Sequence, residues 1–190
     1  MANDPTPVDA GGLWRTLDET VRCLRSDPAA GLIRPRVSSR LVAGVIAESR
    51  FTQYGREFSF RSDEAAERGG TGTAPSPLRY FLSGLAFCQI VWYAKGSALV
   101  GCILESVEID VETFLDMRGE HRIGDVPAYP QWLLLEARIG SPSPADRVLT
   151  MVEEANARCP VFNLVRRAVP IYERITHNGC LLRDTAPRET

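Results

Sequence analysis

The chain has 190 residues with 22 basic and 24 acidic side chains, so its net charge at pH 7 is −2. A balance this close to neutral argues against a nucleic-acid-binding surface and against a polybasic membrane patch. The length suits one domain, or one domain with an appendage, and a chain of this size can bury about 70% of its unfolded surface without a disulfide or a metal.

The first 36 residues are predicted to form an appendage. Residues 1–12 are polar and contain proline, which is typical of disordered chain. Apolar residues then recur at helical spacing up to Ser26, where Asp27 and Pro28 are expected to end the helix. The apolar stripe of this helix predicts docking on a neighbouring element or a partner subunit. Since the N-terminus lacks the charged and apolar segments of a signal peptide, we expect a cytoplasmic protein.

Residues 37–61 are predicted to form an antiparallel hairpin. Residues 41–47 and 57–61 are strand-like runs, and residues 52–56 supply the turn between them. The turn places Arg56 at a strand end.

A long apolar helix is predicted at the centre of the chain. Ser76 is a good N-cap, Pro77 suits the first helical position, and Gly96 is expected to end the helix. Charged and amide side chains interrupt the apolar run, which favours a buried core helix carrying Cys88 over a membrane span. The preceding loop, residues 69–75, is rich in glycine but lacks the spacing of a phosphate-binding loop, so we interpret it as a tight helix entrance.

The second half of the chain is predicted to combine strands with one amphipathic helix. Strands are expected at residues 107–112, 131–139 and 164–175, and the helix at residues 144–159. Residues 143–146 resemble a capping box, Pro160 ends the helix, and Cys159 lies at the end of its buried stripe. Residues 177–190 are predicted to be a polar tail. This order predicts an α+β fold, an antiparallel sheet packed on two core helices, for a domain of residues 37–176.

The cysteines are five in number and widely spaced, and no CxxC pair occurs. They are Cys23, Cys88, Cys102, Cys159 and Cys180. With two histidines in the whole chain, the ligand pattern of a structural zinc site is missing, so we expect neither a metal nor a cofactor. In a reducing compartment, such thiols are either packed in the core or chemically active.

Cys88 and Cys159 are the pair with the best prospect of meeting, because each lies on an apolar face of a predicted core helix. Two helices that cover one sheet face are expected to touch, which permits the short separation that a disulfide needs. Cys159 lies at a helix C-terminus, where the dipole disfavours a thiolate, so Cys88 is the better nucleophile once a cation reaches it. We expect the turn with Arg56 to supply that cation.

Such a pair in an apolar pocket would suit the reduction of apolar hydroperoxides. Cys88 would be oxidised to a sulfenic acid, and Cys159 would condense with it to a disulfide. The alternative is that both thiols are packing residues.

Two sequence motifs surround these cysteines. Residues 69–77 read Gly-Gly-Thr-Gly-Thr-Ala-Pro-Ser-Pro and lead into Cys88, and residues 157–163 read Ala-Arg-Cys-Pro-Val-Phe-Asn. The motifs resemble those of the OsmC/Ohr family of osmotically inducible and organic-hydroperoxide-resistance proteins, with a likeness in element order over about residues 37–175. The resemblance implies an OsmC-like intertwined homodimer with active sites at the subunit interface. It also implies a thiol-dependent peroxidase of the oxidative stress response, with Cys88 peroxidatic and Cys159 resolving.

The arginine that activates the thiolate in this family has two candidates here. Gly55-Arg56 resembles the family segment, and Arg50 is the alternative because the loop length differs. Leu78 departs from the pattern, since the peroxidase subfamilies have a glutamate after the proline that pairs with this arginine. Another acid, such as Asp63 or Glu64, would have to replace it. The chain therefore resembles a divergent branch of the family.

Two functional hypotheses follow. The first is a peroxidase that acts on small apolar hydroperoxides and is reduced by a cellular dithiol. The second, favoured by Leu78, is a non-catalytic OsmC-like module that binds a hydrophobic ligand at the dimer interface. A thiol hydrolase is less favoured because no histidine or aspartate partner is recognisable. We expect a homodimer, because one short sheet would not cover so apolar a central helix, and no nucleic-acid or membrane partner.

Overall fold

The computed structural model describes residues 8–186. Its helices are α1 (Ala10–Ser26), α2 (Pro77–Val100), α3 (Met117–Glu120), α4 (Ala145–Arg158) and α5 (Pro160–Val165). Its strands are β1 (Ser38–Ala43), β2 (Ile46–Gln53), β3 (Arg56–Ser62), β4 (Ser106–Thr113), β5 (Leu133–Gly140), β6 (Ile171–His177) and β7 (Cys180–Asp184). None of the helices in this described part of the chain has the length and apolar character needed to cross a membrane.

The described residues divide into two compact units. Arg22–Ser83 form one, here called the meander unit, and the described residues before Arg22 and from Gly84 onward form the other, the core unit. Cys88 and Cys159 belong to the core unit, whereas both candidate arginines belong to the meander unit.

The meander unit contains the three-stranded antiparallel sheet β1-β2-β3. Gly44 has a φ of +53° and opens the tight turn between β1 and β2. Tyr54 and Gly55 also have positive φ values, and they form the two-residue turn that leads into Arg56 at the start of β3. The prediction of one strand over residues 41–47 is therefore wrong, because a glycine within it adopts the left-handed conformation of a turn.

The glycine-rich loop closes around a buried carboxylate. Thr71 and Thr73 each donate a backbone N–H and a hydroxyl to the Asp63 oxygens at 2.6 to 3.3 Å. These hydrogen bonds, led by the one from the Thr71 hydroxyl, hold the pKa of Asp63 well below its usual range. A Cβ at Gly70 would overlap the backbone carbonyl of Glu64, so this close approach requires glycine. The loop thus forms a tight entrance to α2.

The core unit is built on the four-stranded sheet β4-β5-β6-β7. The outer pairs are antiparallel, while β5 and β6 are parallel and are joined through α4 and α5. Every second side chain of β5 is buried, and these side chains pack with residues of α2, α4 and β6 in one cluster. The cluster includes Tyr93, Ala137, Ile139, Val148, Met151, Val152, Ala155 and Ile175. The predicted α+β class, with an antiparallel sheet and two core helices, is confirmed, and the parallel pair is an addition.

The central helix is longer than predicted. α2 continues to Val100, four residues beyond Gly96. Gly96 lies where α2 meets α4, and a Cβ there would be 3.0 Å from the Met151 backbone oxygen. The helix ends at Gly101, with a φ of +64°, where the N–H of Cys102 donates to the Ser97 carbonyl at 2.9 Å. The prediction of an end at Gly96 is wrong because this glycine permits close helix packing.

The N-terminal helix begins earlier than predicted. α1 starts at Ala10, because the Asp9 carboxylate accepts the N–H of Gly12 at 3.0 Å and caps the first turn. The predicted disorder therefore does not extend to residues 10–12. Residues 8 and 9 precede the helix without regular secondary structure, and residues 1–7 lie outside the described residues.

Three predictions near the end of the chain need correction. Residues 160–165 form α5, so the last predicted strand begins later, at Ile171. The segment predicted as a polar tail contains β7, because Asn178 and Gly179 have positive φ values and form a hairpin turn. The Ser143 hydroxyl does not cap α4 but accepts the N–H of Ile103 at 2.9 Å.

Candidate active site

The two thiols singled out from the sequence lie in contact. Cys88 is partly buried on α2, and Cys159 is fully buried directly after α4. Their sulfur atoms are 3.1 Å apart. Both are free thiols, as are Cys23, Cys102 and Cys180. The separation is close enough for a disulfide to form after a small movement.

Cys159 lies at a junction between two helices, and its position follows from local backbone chemistry. It ends α4 in an extended conformation, and Pro160, which cannot continue an α-helix hydrogen-bond pattern, begins α5. The Asn163 side chain donates to the carbonyls of Asn156, Ala157 and Cys159 at 2.8 to 3.2 Å. These bonds satisfy the carbonyl groups that a helix end leaves unpaired, so the resolving candidate is firmly placed.

Burial makes the Cys159 thiol a weaker acid than usual. Its pKa is raised to about 11, first because the thiol is desolvated and further because the Cys88 thiol lies beside it. The N–H of Phe162, 3.4 Å from the sulfur, opposes this shift. Cys159 therefore stays protonated at neutral pH, with burial rather than the helix dipole as the main cause.

A buried polar group lies next to the thiol pair. Gln89, which is fully buried, donates to Asn156 on α4, and Asn156 donates to Glu173 on β6 at 2.7 Å. Tyr93 is buried one turn further along α2. Burial, together with the charge of Glu173, raises the pKa of Tyr93 well above its usual value. The sequence analysis counted the amide only as an interruption of the apolar run and assigned this group no role, although an amide in the middle of a mostly apolar helix was a readable signal.

The two arginines proposed to activate Cys88 differ in their partners. Arg50 contacts Glu48 at 2.7 Å and lies 4.0 Å from Glu57. Arg56 is exposed and has no carboxylate partner among residues 8–186. The sequence analysis also missed Glu48, whose burial depends on the register of β1, β2 and β3.

The acids considered as substitutes for the family glutamate are otherwise engaged. Asp63 is held by the glycine-rich loop, and Glu64 pairs with Arg68 at 3.1 Å. Leu78 lies in the first turn of α2. Across the described residues, no group of three or more histidine, cysteine, aspartate or glutamate side chains is arranged to hold a metal ion.

The sequence of the chain matches that of a known protein family. The sequence profile of the family described as OsmC-like protein matches residues 70–174, which is more than half of the 190 residues. The match includes both Cys88 and Cys159. No curated protein sequence matches the chain significantly.

Several solved structures share the fold at low sequence identity. An OsmC-like protein from Mycoplasma pneumoniae has a TM-score of 0.66 and 16% identity, covering 76% of this chain and 97% of its own. An organic hydroperoxide resistance protein from Elizabethkingia anophelis has a TM-score of 0.59 and 14% identity, covering 77% and 99%. An organic hydroperoxide resistance protein OsmC from Legionella pneumophila has a TM-score of 0.55 and 18% identity, covering 76% and 99%. These similarities show a common fold.

Proposed function

Since the chain belongs to the OsmC-like protein family, we propose that it is a thiol-dependent peroxidase that reduces small apolar organic hydroperoxides in the cytoplasm. The observation that carries this proposal is the 3.1 Å separation of the Cys88 and Cys159 sulfur atoms. Two thiols that lie far apart in the chain and meet in the core unit are suited to a cycle between dithiol and disulfide.

The environments of the two thiols support different roles. Cys159 is fully buried and protonated at neutral pH, so it is poorly suited to meet the peroxide first. Cys88 is partly exposed, and the neighbouring Phe87 offers an apolar side chain that is 68% exposed. We therefore assign Cys88 as peroxidatic and Cys159 as resolving.

The proposed reaction conserves atoms and electrons. The Cys88 thiolate attacks one peroxide oxygen and the O–O bond breaks. The leaving alkoxide takes up the proton that Cys88 released on ionising, so the products are a Cys88 sulfenic acid and an alcohol. The Cys159 sulfur then attacks the Cys88 sulfur, and the hydroxyl group leaves as water with the proton of Cys159. A cellular dithiol reduces the resulting disulfide and is itself oxidised.

Arg56 is the better candidate for the cation that ionises Cys88. A carboxylate partner offsets the charge of a guanidinium and so weakens its effect on a thiolate pKa. Arg50 is paired with Glu48, whereas Arg56 has no carboxylate partner among the described residues. Since Leu78 cannot orient an arginine, the thiolate is expected to be less activated than in relatives that have the glutamate.

Counting free thiols after oxidation tests the proposed function. Reduced protein mixed with cumene hydroperoxide is expected to lose two of its five free thiols, and Cys88→Ser to lose none. Cys159→Ser is expected to stop at the sulfenic acid. Cys180→Ser, which removes an exposed thiol outside the pair, serves as the control and should behave like the parent chain. Undiminished hydroperoxide turnover by Cys88→Ser would contradict the proposal.

The second candidate is a non-catalytic module that binds a hydrophobic ligand at a dimer interface. Leu78 in place of the family glutamate favours it, as do the exposed apolar side chains Phe87 and Val91 on α2. In that case the thiol count stays at five in the presence of hydroperoxide. An apolar fluorescent probe would bind the protein with equal affinity before and after exposure.

A further inference from the structure

A chain of hydrogen-bonded side chains runs from Gln89, the residue after Cys88, to the surface of the core unit. Gln89 follows Cys88 on α2, and its Nε2 donates to Oδ1 of Asn156, three residues before Cys159. Asn156 Nδ2 donates to Oε1 of Glu173 at 2.7 Å. The contact between Gln89 and Asn156 therefore joins the same two helical segments as the contact between the sulfur atoms.

The outer end of this chain is charged. Glu173, whose side chain is 13% exposed, accepts from Nη1 of Arg183 on β7 at 3.2 Å. Nη2 of Arg183 donates to Oε1 of Glu153, an exposed residue of α4, at 3.0 Å. The carboxylate is thus compensated at the surface, while neutral amides lie beside the thiols.

The charge of Glu173 determines the orientation of both amides. An ionised carboxylate only accepts, so Asn156 must turn its NH₂ group toward Glu173 and its oxygen toward α2. Gln89 must then offer its own NH₂ group to that oxygen. As a result, the buried Oε1 of Gln89 has no hydrogen-bond partner among the described residues.

An unpartnered buried carbonyl destabilises the folded protein, so this arrangement is not the best one for stability alone. The hydrogen bonds from Gln89 through Asn156 to Glu173 do, however, hold α4 and α2 in one alignment near the thiols. We propose that Gln89, Asn156 and Glu173 are positioning residues that set the effective concentration of the Cys159 thiol toward an oxidised Cys88. This inference rests on the proposed function for its role in the cycle.

The chemistry of the closing step explains why alignment matters. The two sulfur atoms must approach from 3.1 Å to about 2.05 Å as the S–S bond forms. The Cys159 sulfur must also approach opposite the leaving group on Cys88. Cys159 has little freedom of its own, because it is fully buried and its backbone is held by Asn163. Small changes in the spacing of the two helices therefore act directly on this step.

Glu173→Gln tests the proposal, because it keeps the shape of the side chain but adds a donor and removes the charge that orients Asn156. Closure of the disulfide after oxidation of Cys88 is expected to slow about tenfold, with the first oxidation unchanged. The sulfenic acid should then accumulate and be trapped by dimedone. Glu154→Gln, which removes a surface carboxylate paired with Arg158, is the matched control and should close at the normal rate.

A second measurement does not depend on peroxide. In glutathione redox buffers, the equilibrium between the reduced protein and its Cys88–Cys159 disulfide reports the effective concentration of Cys159. We expect Glu173→Gln to lower this value about tenfold. If peroxide leaves the parent chain unoxidised while this equilibrium still shifts, the peroxidase proposal fails and the positioning role stands.

Two results with Glu173→Gln would overturn the positioning role. One is an unchanged closing rate and glutathione equilibrium in Glu173→Gln. The other is an equal slowing of both oxidation steps in a variant that keeps the folded circular dichroism signal, which indicates that the closing step is not specifically affected. Should Glu173→Gln not fold, Arg183→Met removes the ion pairs of Arg183 with Glu173 and Glu153 but keeps all three positioning residues, and it is expected to slow closure to a smaller extent. A normal closing rate in that variant also overturns the proposal.

Discussion

Glu48 is a carboxylate of the meander unit that lies among three guanidinium groups. Its side chain is 7% exposed, and its oxygens lie 2.9 Å from Arg40, 2.7 Å from Arg50 and 3.3 Å from Arg61. Arg40 and Arg61 stand directly opposite Glu48 on β1 and β3. The hydrogen bond from Arg40 is the largest cause that lowers the pKa of Glu48, which falls to about 2. The carboxylate therefore stays ionised and neutralises part of an otherwise repulsive group.

Glu48→Gln is expected to destabilise the protein at pH 7, because three guanidinium groups lose their shared partner. The folded pKa of Glu48 is depressed, so its stabilisation is present above its usual pKa of 4.5 and is lost as pH falls toward 2. Urea denaturation across this range should show that the difference in unfolding free energy between the parent and Glu48→Gln proteins becomes smaller as the pH falls. Glu57→Gln, an exposed acid 4.0 Å from Arg50, is the control. A difference that persists at pH 2 would contradict the assignment.

Glycine placement explains most of the differences between predicted and observed elements. Gly44 opens a turn inside a predicted strand, and Gly101 ends α2 where Gly96 was expected to do so. Gly44 and Gly101 both have positive φ. Gly96 has a helical backbone instead, and glycine is needed there because a Cβ would lie too close to the Met151 backbone oxygen. A sequence records only that glycine is present, while backbone conformation and neighbouring elements determine which property of glycine is used.

Gly96→Ala is expected to destabilise the protein by about 1–3 kcal/mol, despite the higher helix propensity of alanine. Its Cβ would lie 3.0 Å from the Met151 backbone oxygen, so α2 and α4 would have to separate. Gly11→Ala in α1 is the control, since its Cβ meets only the Asp9 side chain at an ordinary 3.7 Å. Urea denaturation is the measurement. A Gly96→Ala protein as stable as the parent would show that the helix contact is not tight.

Several large apolar side chains are exposed on the described part of the chain. Phe87 and Val91 on α2 are 68% and 49% exposed, and Leu164 on α5 is 71% exposed. Phe87 and Val91 are four residues apart and therefore share one face of α2. Adjacent exposed apolar side chains of this kind mark interaction sites in soluble proteins. We therefore maintain the proposal of a homodimer in which a second copy covers this face of α2.

Light scattering at micromolar concentration is expected to give a mass of twice the 21.0 kDa of the chain. Val91→Glu is expected to shift the protein toward the monomer, because dimerisation would bury an unpaired charge. Thr150→Glu places the same charge on an exposed position of α4 and should leave the dimer intact. A parent chain that is monomeric under these conditions would refute the proposal.

Local chemistry made much of the fold and the family predictable from the sequence. The Ser76-Pro77 start of α2 was readable because proline suits the first turn of a helix, and the end of α1 before Pro28 because proline cannot continue one. The motifs around Cys88 and Cys159 identified the family, which the profile match over residues 70–174 confirms. Periodicity likewise placed β4, β5 and α4 close to their observed bounds.

Which side chains meet depends on how the elements pack together. The 3.1 Å contact of the two sulfur atoms, the link from Gln89 through Asn156 to Glu173, and the arginines around Glu48 all join residues that are distant in the chain or on different strands. Their partners depend on strand register and helix spacing, which emerge when the whole core packs. Composition and local periodicity report which face of an element is buried, but they do not contain the distance from that face to its neighbour.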